Sequence, residues 1–243
     1  VNVVVRGAVR PLEAQRAEEA IGAVLARRDH SDSVTMRLSR LRNPLEPLVI
    51  QVNFQLHETR ARMQAAGPGP QAVTRAAGRL DHQLYGMGIG TRVRWWFEPG
   101  RRTLAHPSQR ASIVRRKHYA WPELDPHNAV VAMDRMDYDA YTFLDAHSGQ
   151  DCVVYRAGPE GVQLARQHGT YPCPAPSLLA PTIAPGKTPV LDEERAVTLL
   201  CEQGLPFLFY IDSADERGRL LYRRYDHELT LLSPTPDTHR SRH

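Results

Sequence analysis

"LLYRRYDHELTLL" (Leu220–Leu232) reads as a strand, a tight polar turn and a second strand: an apolar doublet, an aromatic, charges, Asp226 at the turn, then apolar residues again. It echoes "VVYRAGPEGVQLA" (Val153–Ala165), and the echo is in register. A displacement of 67 residues lays Leu124 on Leu191, Asp125 on Asp192, Ala129 on Ala196, Val130 on Val197, Asp145 on Asp212, Tyr155 on Tyr222, Arg156 on Arg223 and Leu164 on Leu231 without a gap. A register that persists through a predicted helix and three strands is a duplication. Each copy reads as a helix capped by Asp125 or Asp192, an aromatic strand ("DAYTFLD" or "PFLFYID"), a turn and the hairpin. Between the copies lies "YPCPAPSLLAPTIAPGKTP" (Tyr171–Pro189), whose six prolines read as a stiff extended connector with no folded element of its own.

Upstream of the copies the pattern changes. Val3–Arg6 reads as a short strand, and Pro11 opens a helix that carries Ala17, Ala20, Ile21, Val24 and Leu25 at helical spacing. Three strands follow with period two. "VTMRLSRL" alternates Val34, Met36 and Leu38 with Thr35, Arg37 and Ser39; "LVIQVNFQL" alternates Leu48, Ile50, Val52 and Phe54 with polar positions; "TRARMQA" sets Arg60, Arg62 and Gln64 opposite Ala61 and Met63. One sheet face is core and the other polar to basic. "GPGP" (Gly67–Pro70) breaks the chain, and from Gln71 to about Tyr85 a second helix places Val73, Ala76, Ala77, Leu80 and Leu84 inward and Arg75, Arg79 and His82 on one outer stripe. The order is βαβββα.

Charge divides along the same line. Val1–His118 holds 20 Arg or Lys against 9 Asp or Glu, and the remainder 11 against 18, within a net charge of +4. A basic first half points to a polyanion, and the acidic second half argues against a uniform nucleic-acid coat. Only Lys117 and Lys187 are lysines. The Arg fork suits phosphate, and GC-rich coding favours Arg as well, but coding bias does not create the asymmetry. A stripe such as Arg75, Arg79 and His82 is on its own an ordinary solvated face. Arg37, Arg60 and Arg62 on the sheet strengthen the RNA reading.

At 243 residues the chain is long enough to bury a real core. No apolar run nears the roughly 20 residues of a membrane span, and the start lacks a signal-peptide pattern, so a soluble cytoplasmic protein is expected. Cys152, Cys173 and Cys201 are odd in number and show no CxxC spacing, so neither a disulfide framework, a metal site nor a cofactor is expected. "GMGIG" (Gly86–Gly90) follows a helix and lacks the third spaced glycine of a dinucleotide loop; a hinge is the better reading. Trp95 and Trp96 in "TRVRWWFEPGRR" suit either base stacking or anchoring of a helix end. No metal-protease or recognisable triad context occurs.

"AVTRAAGRLDHQL" (Ala72–Leu84) resembles the second-helix signature of the ribosome hibernation promoting factors, near A-I-D-x-x-x-D-K-L-x-x-Q-L, through Ala72, Val73, Arg79, Leu80, Gln83 and Leu84, while Thr74 and Gly78 depart from it. "EAQR" (Glu13–Arg16) after the opening strand is similar too. Each copy downstream resembles the C-terminal domain of the long factors: "RRKHY" with "VVYR" in the first, "PFLFY" with "LLYRRYDHELTLLSP" in the second. In long factors that domain occurs once and dimerises through its strands. Two copies in one chain resemble the dormancy or hypoxia-induced variant.

The resemblance implies an α+β protein: residues 1–97 as an rRNA-binding βαβββα domain with two helices on one face of a four-stranded sheet, a flexible linker 98–112, repeats 113–170 and 190–236 forming a pseudo-dimer around the connector 171–189, and a tail 237–243. It implies a non-enzymatic factor lodged in the 30S decoding region of the 70S ribosome, touching 16S rRNA through Arg16, Arg27, Arg28, Arg37, Arg60, Arg62, Arg75, Arg79, His82, Arg92 and Arg94. Tyr141, Phe143, Phe207 and Phe209 are expected either in the cores or at the repeat-repeat interface. The competing reading is an enzyme or ligand sensor on the duplicated domain, with the basic half as an RNA anchor.

Overall fold

The computed structural model describes residues 1–30, 32–40, 47–56, 58–88, 110–168, 181–224 and 227–235. Arg92, Arg94, Trp95, Trp96 and nearly all of the linker 98–112 lie outside them, as does the tail. Among the described residues the chain divides into two compact units, one drawn from residues 1–88 and 131–138, the other from 110–130 and 139–235.

In the first unit, β1 (Asn2–Gly7), α1 (Pro11–Arg27), β2 (Thr35–Arg40), β3 (Leu48–Leu56), β4 (Thr59–Gly67) and α2 (Gly69–Gly88) succeed one another, and the sheet order is β1-β2-β3-β4. β1 runs parallel to β2, and the rest is antiparallel with Met36 beside Val52 and Val52 beside Met63. Period-two alternation sends these residues to one face, where Ala17, Ile21, Val24 and Leu25 of α1 and Ala72, Ala76, Leu80 and Leu84 of α2 complete a single apolar cluster. Each aliphatic side chain fully buried there contributes about 1.5–3 kcal/mol.

Proline sits in the first turn of α1, where its missing N–H costs nothing, and the Glu13 carboxylate accepts from the Arg10 N–H at 3.0 Å. The same carboxylate takes two 2.9 Å hydrogen bonds from Arg40. A Cβ at Gly69 would stand 2.3 Å from Glu13 Oε1, so a larger residue there would have to displace this carboxylate. Two expectations change here. α2 begins inside "GPGP", since Pro70 is harmless in a first turn. Its last turn absorbs Gly86 and Gly88 of the expected hinge, held by Met87 against the core.

The second unit contains β5 (Ile113–Tyr119), β6 (Glu123–Leu124), α3 (Pro126–Arg135), β7 (Ala140–Asp145), β8 (Asp151–Arg156), β9 (Val162–Arg166), β10 (Thr182–Ile183), β11 (Val190–Leu191), α4 (Glu193–Glu202), β12 (Phe207–Asp212), β13 (Gly218–Arg223) and β14 (Leu229–Pro234), with the second half of α3 assigned to the first unit. A displacement of 67 residues carries β6 onto β11, α3 onto α4, β7 onto β12, β8 onto β13 and the start of β9 onto the start of β14.

The sheets are ordered β10-β9-β8-β7-β6 and β11-β12-β13-β14-β5, so each copy closes its sheet with the strand that precedes the other. β5 lies parallel to β14 with Arg115 beside Thr230; β10 lies parallel to β9 with Thr182 beside Gln163, the same register displaced by 67. The connector therefore does contain a folded element. Thr182–Ile183 fits between Pro181 and Pro185, and the Ala184 N–H donates to the Leu164 carbonyl at 2.8 Å. The expected repeat boundaries also cut across the fold, because an outer strand edge left open by one copy is satisfied by the other.

Inside each copy of the hairpin domain, alternation separates two cores. Leu208, Tyr210, Leu221 and Leu231 pack with Ala196 and Leu200 of α4. The opposite strand faces meet in a cluster fed by both copies: Val153, Tyr155 and Ala165 from the first, Phe209, Ile211 and Leu220 from the second, with Trp121. At its rim Arg217 donates through Nε and Nη2 to Asp151 at 2.7 and 3.1 Å, and the Gly218 N–H adds a third bond at 2.8 Å.

Candidate nucleic-acid interface

β4 is an edge strand, and its outward carbonyls need donors. α2 supplies them at successive turns: Arg75 Nη1 donates to the Ala66 carbonyl at 3.3 Å, Arg79 Nη1 to that of Gln64 at 2.7 Å and Gln83 Nε2 to that of Arg62 at 3.1 Å. The helical spacing of four matches the strand spacing of two, about 6 Å in each case. So the stripe expected to face RNA is in part a clasp on the sheet edge. Its third member is Gln83, while His82 is exposed on the neighbouring face of α2.

The helix-free face of the sheet is polar. Arg37 lies beside Gln51 and Gln51 beside Gln64; Asn53 lies beside Arg62 and Gln55 beside Arg60. Arg60 is exposed, and Arg37 and Arg62 are half-buried. Arg16 is exposed on α1. Arg27 and Arg28, at the end of α1, both bind Asp81 of α2, at 3.0 and 2.8 Å, and Arg28 lies over the Tyr85 ring at 5.1 Å. The Arg28 hydrogen bond, against a smaller desolvation effect and with help from Arg27, lowers the Asp81 carboxyl to about 2.

Arg62 turns toward the segment after α3. Its Nε donates to the Met136 carbonyl at 3.0 Å and Nη2 to that of Asp137 at 3.2 Å, with Tyr138 stacked beneath at 4.4 Å. The Asp137 carboxylate, 1% exposed, accepts from the Gln64 N–H at 2.7 Å and from Arg79 Nη2 at 2.7 Å. Gln83 Nε2 also reaches the Arg135 carbonyl at 2.8 Å. The sequence pointed to Arg62 and Arg79 as site residues, placed Gln64 on the polar sheet face and Gln83 in the helix signature without a role at the site, and left Asp137 out. The available signal was Asp137 standing where the second copy has Gly204.

The four aromatics proposed for the repeat interface divide by strand parity. Phe207 and Phe209 enter the cluster shared by the copies, with Phe207 edge-on to Tyr155 at 5.3 Å. Tyr141 and Phe143 point to the opposite side of β7, for they occupy the positions of Leu208 and Tyr210, which pack on α4; Ala140 replaces them in the shared cluster. Burial pushes the Cys152 thiol up to about 12, which leaves no thiolate for chemistry near neutral pH. Among the described residues no group of His, Cys, Asp or Glu is placed to hold a metal, and no helix is long and apolar enough to cross a membrane.

A family model described as the C terminus of the sigma 54 modulation/S30EA ribosomal protein matches residues 108–163, the first copy. The chain is 41% identical over 238 residues to a dormancy associated translation inhibitor of Mycobacterium tuberculosis, covering 95% of this chain and 87% of that protein. It is 48% identical over 44 residues to a ribosome hibernation promotion factor of Lactococcus lactis, covering 18% of this chain and 24% of that one. A ribosomal subunit interface protein of Coxiella burnetii aligns over 37% of this chain and 100% of its own, at 17% identity and a TM-score of 0.31.

Proposed function

The chain belongs to the family of ribosome hibernation factors and translation inhibitors, which are not enzymes, and from that premise we propose that it silences cytoplasmic 70S ribosomes during stress or dormancy. Its first unit occupies the 30S decoding region, where mRNA and tRNA would lie, and contacts 16S rRNA through arginine. The observation that carries this reading is the 41% identity to a dormancy associated translation inhibitor across 95% of the chain. The helix-free sheet face with Arg37, Arg60 and Arg62 adds the required positive charge.

The second unit pairs its copies within one molecule, so the factor holds single 70S particles and does not join two. Strand exchange and the shared apolar cluster support this, and so does their asymmetry. Gly218 and Asp151 are equivalent positions, and a Cβ at Gly218 would stand 2.8 Å from the Asp151 Cβ. Two identical first copies would set Asp151 against Asp151, a clash that also brings two carboxylates together. Tethering adds an effective concentration of about millimolar.

Sucrose-gradient sedimentation of ribosomes from cells making the protein tests both parts. Co-sedimentation with 70S and no 100S peak is expected. Arg37→Glu with Arg60→Glu should move the factor to the top of the gradient; these positions are chosen because Arg75 and Arg79 also hold the β4 edge. Unchanged binding of that variant at matched salt removes the sheet face from the interface, and a dominant 100S peak overturns the internal pairing.

A further inference from the structure

The turn after α3 recurs after α4. The Tyr138 N–H donates to the Met133 carbonyl and the Leu205 N–H to that of Leu200, both at 3.0 Å, and the residue before each is left-handed: Asp137 at φ 50° and Gly204 at φ 61°. Glycine is the ordinary occupant of such a helix C-terminal position, and a Cβ there carries a backbone penalty. The second copy makes the turn with glycine. The first copy makes it with aspartate, as the end of α1 does with Asp29 at φ 51°, so the turn itself does not call for the contacts that the Asp137 carboxylate makes.

That carboxylate sits in a cradle of donors built by other elements. The Gln64 N–H on the β4 edge and Arg79 Nη2 from α2 each reach one of its two oxygens at 2.7 Å, while the Arg62 guanidinium holds the carbonyls of Met136 and Asp137. A backbone N–H beside a guanidinium group is a donor pair that recognises a phosphodiester, whose two anionic oxygens a carboxylate imitates. We propose that the β4 edge between Arg62 and Arg79 is a binding site for an RNA backbone phosphate, and that in the RNA-free chain Asp137 occupies it as an internal competitor.

The proposal rests on the reading of the first unit as an RNA-binding module. An incoming phosphate takes over Gln64 N–H and Arg79 Nη2, while Arg79 Nη1 keeps its bond to the Gln64 carbonyl, so the sheet edge stays closed during the exchange. Ribosome binding is thereby weakened by the cost of evicting one carboxylate, a latch that guards against adventitious RNA.

The test uses the full chain with Asp137→Gly, which keeps the left-handed turn in the form the second copy already uses, and Asp137→Asn as a second variant that retains a side chain. Affinity for 30S subunits should rise several-fold in both, with the slope of log affinity against log salt unchanged, because the same phosphate fills the site once the wild-type carboxylate is evicted. Affinity equal to wild type, or weaker binding by both variants at unchanged melting temperature, overturns the proposal. A second arm needs no ribosome: inorganic phosphate should shift the Gln64 amide resonance saturably in Asp137→Gly and far less in the wild type. No shift in either overturns the anion site. Failure of the wild type to bind 30S at all, with the Gln64 shift present, instead overturns the hibernation reading and leaves the anion site standing.

Discussion

Asp81 ties the end of α1 to α2. It holds Arg27 and Arg28, two residues expected to face rRNA, against α2. Its carboxyl is lowered from 3.8 to about 2 in the folded chain, with the Arg28 hydrogen bond as the main cause. A depressed folded value means that the stabilisation is present above about pH 4 and is lost as pH falls through about 2. Asp81→Asn should therefore be less stable than wild type at neutral pH, and the gap should close on acidification through that window. Urea midpoints for both proteins from pH 7 to 2 measure it; a gap independent of pH would assign the effect to packing and not to charge.

At the scale of elements, the contact between α2 and β4 rests on two repeat distances that coincide. Four residues of helix and two of strand advance by nearly the same length, so Arg75, Arg79 and Gln83 meet the carbonyls of Ala66, Gln64 and Arg62 in turn. The three bonds are unequal in burial. Gln83 is 6% exposed and also serves the Arg135 carbonyl, whereas Arg75 is exposed and its bond is 3.3 Å long. Gln83→Ala should cost about 1–3 kcal/mol, because buried carbonyls lose their donor, and Arg75→Ala a few tenths, because water replaces it. Equal losses in urea denaturation would mean that the edge is not closed in this way.

The same scale explains what periodicity could reveal. Alternation in "VTMRLSRL" and "LVIQVNFQL" placed the sheet core, since side-chain direction follows from strand geometry alone. Parity also separates Phe207 and Phe209 from Tyr141 and Phe143, and the displacement of 67 already paired Ala140 with Phe207. Applied to all four aromatics, it would have removed Tyr141 and Phe143 from the interface.

For the whole molecule, strand exchange makes the covalent link between residues 169 and 180 dispensable for the association of the copies. β5 with β14, β10 with β9, and the cluster around Phe209 and Val153 join the copies through main chain and core alike. A protease site introduced between residues 169 and 180 should, once cut, yield two fragments that stay together in size-exclusion chromatography at micromolar concentration. Separation without denaturant would show that tethering, and not the interface, holds the copies.

The duplication, the βαβββα order, the polar and basic sheet face and the family were all determined by the sequence itself. Each depends on local periodicity, on a constant displacement or on a residue signature, which one chain displays without folding. Tertiary structure alone decided that β5 closes the second copy's sheet, that Thr182–Ile183 closes the first's, that Gln83 joins the clasp, and that the Asp137 carboxylate takes the Gln64 N–H and Arg79. These contacts join residues tens of positions apart, up to 116 between Ser112 and Glu228. Partner choice at such separations depends on which edges and donors remain unsatisfied after the local elements form, and no stretch of sequence carries that information by itself.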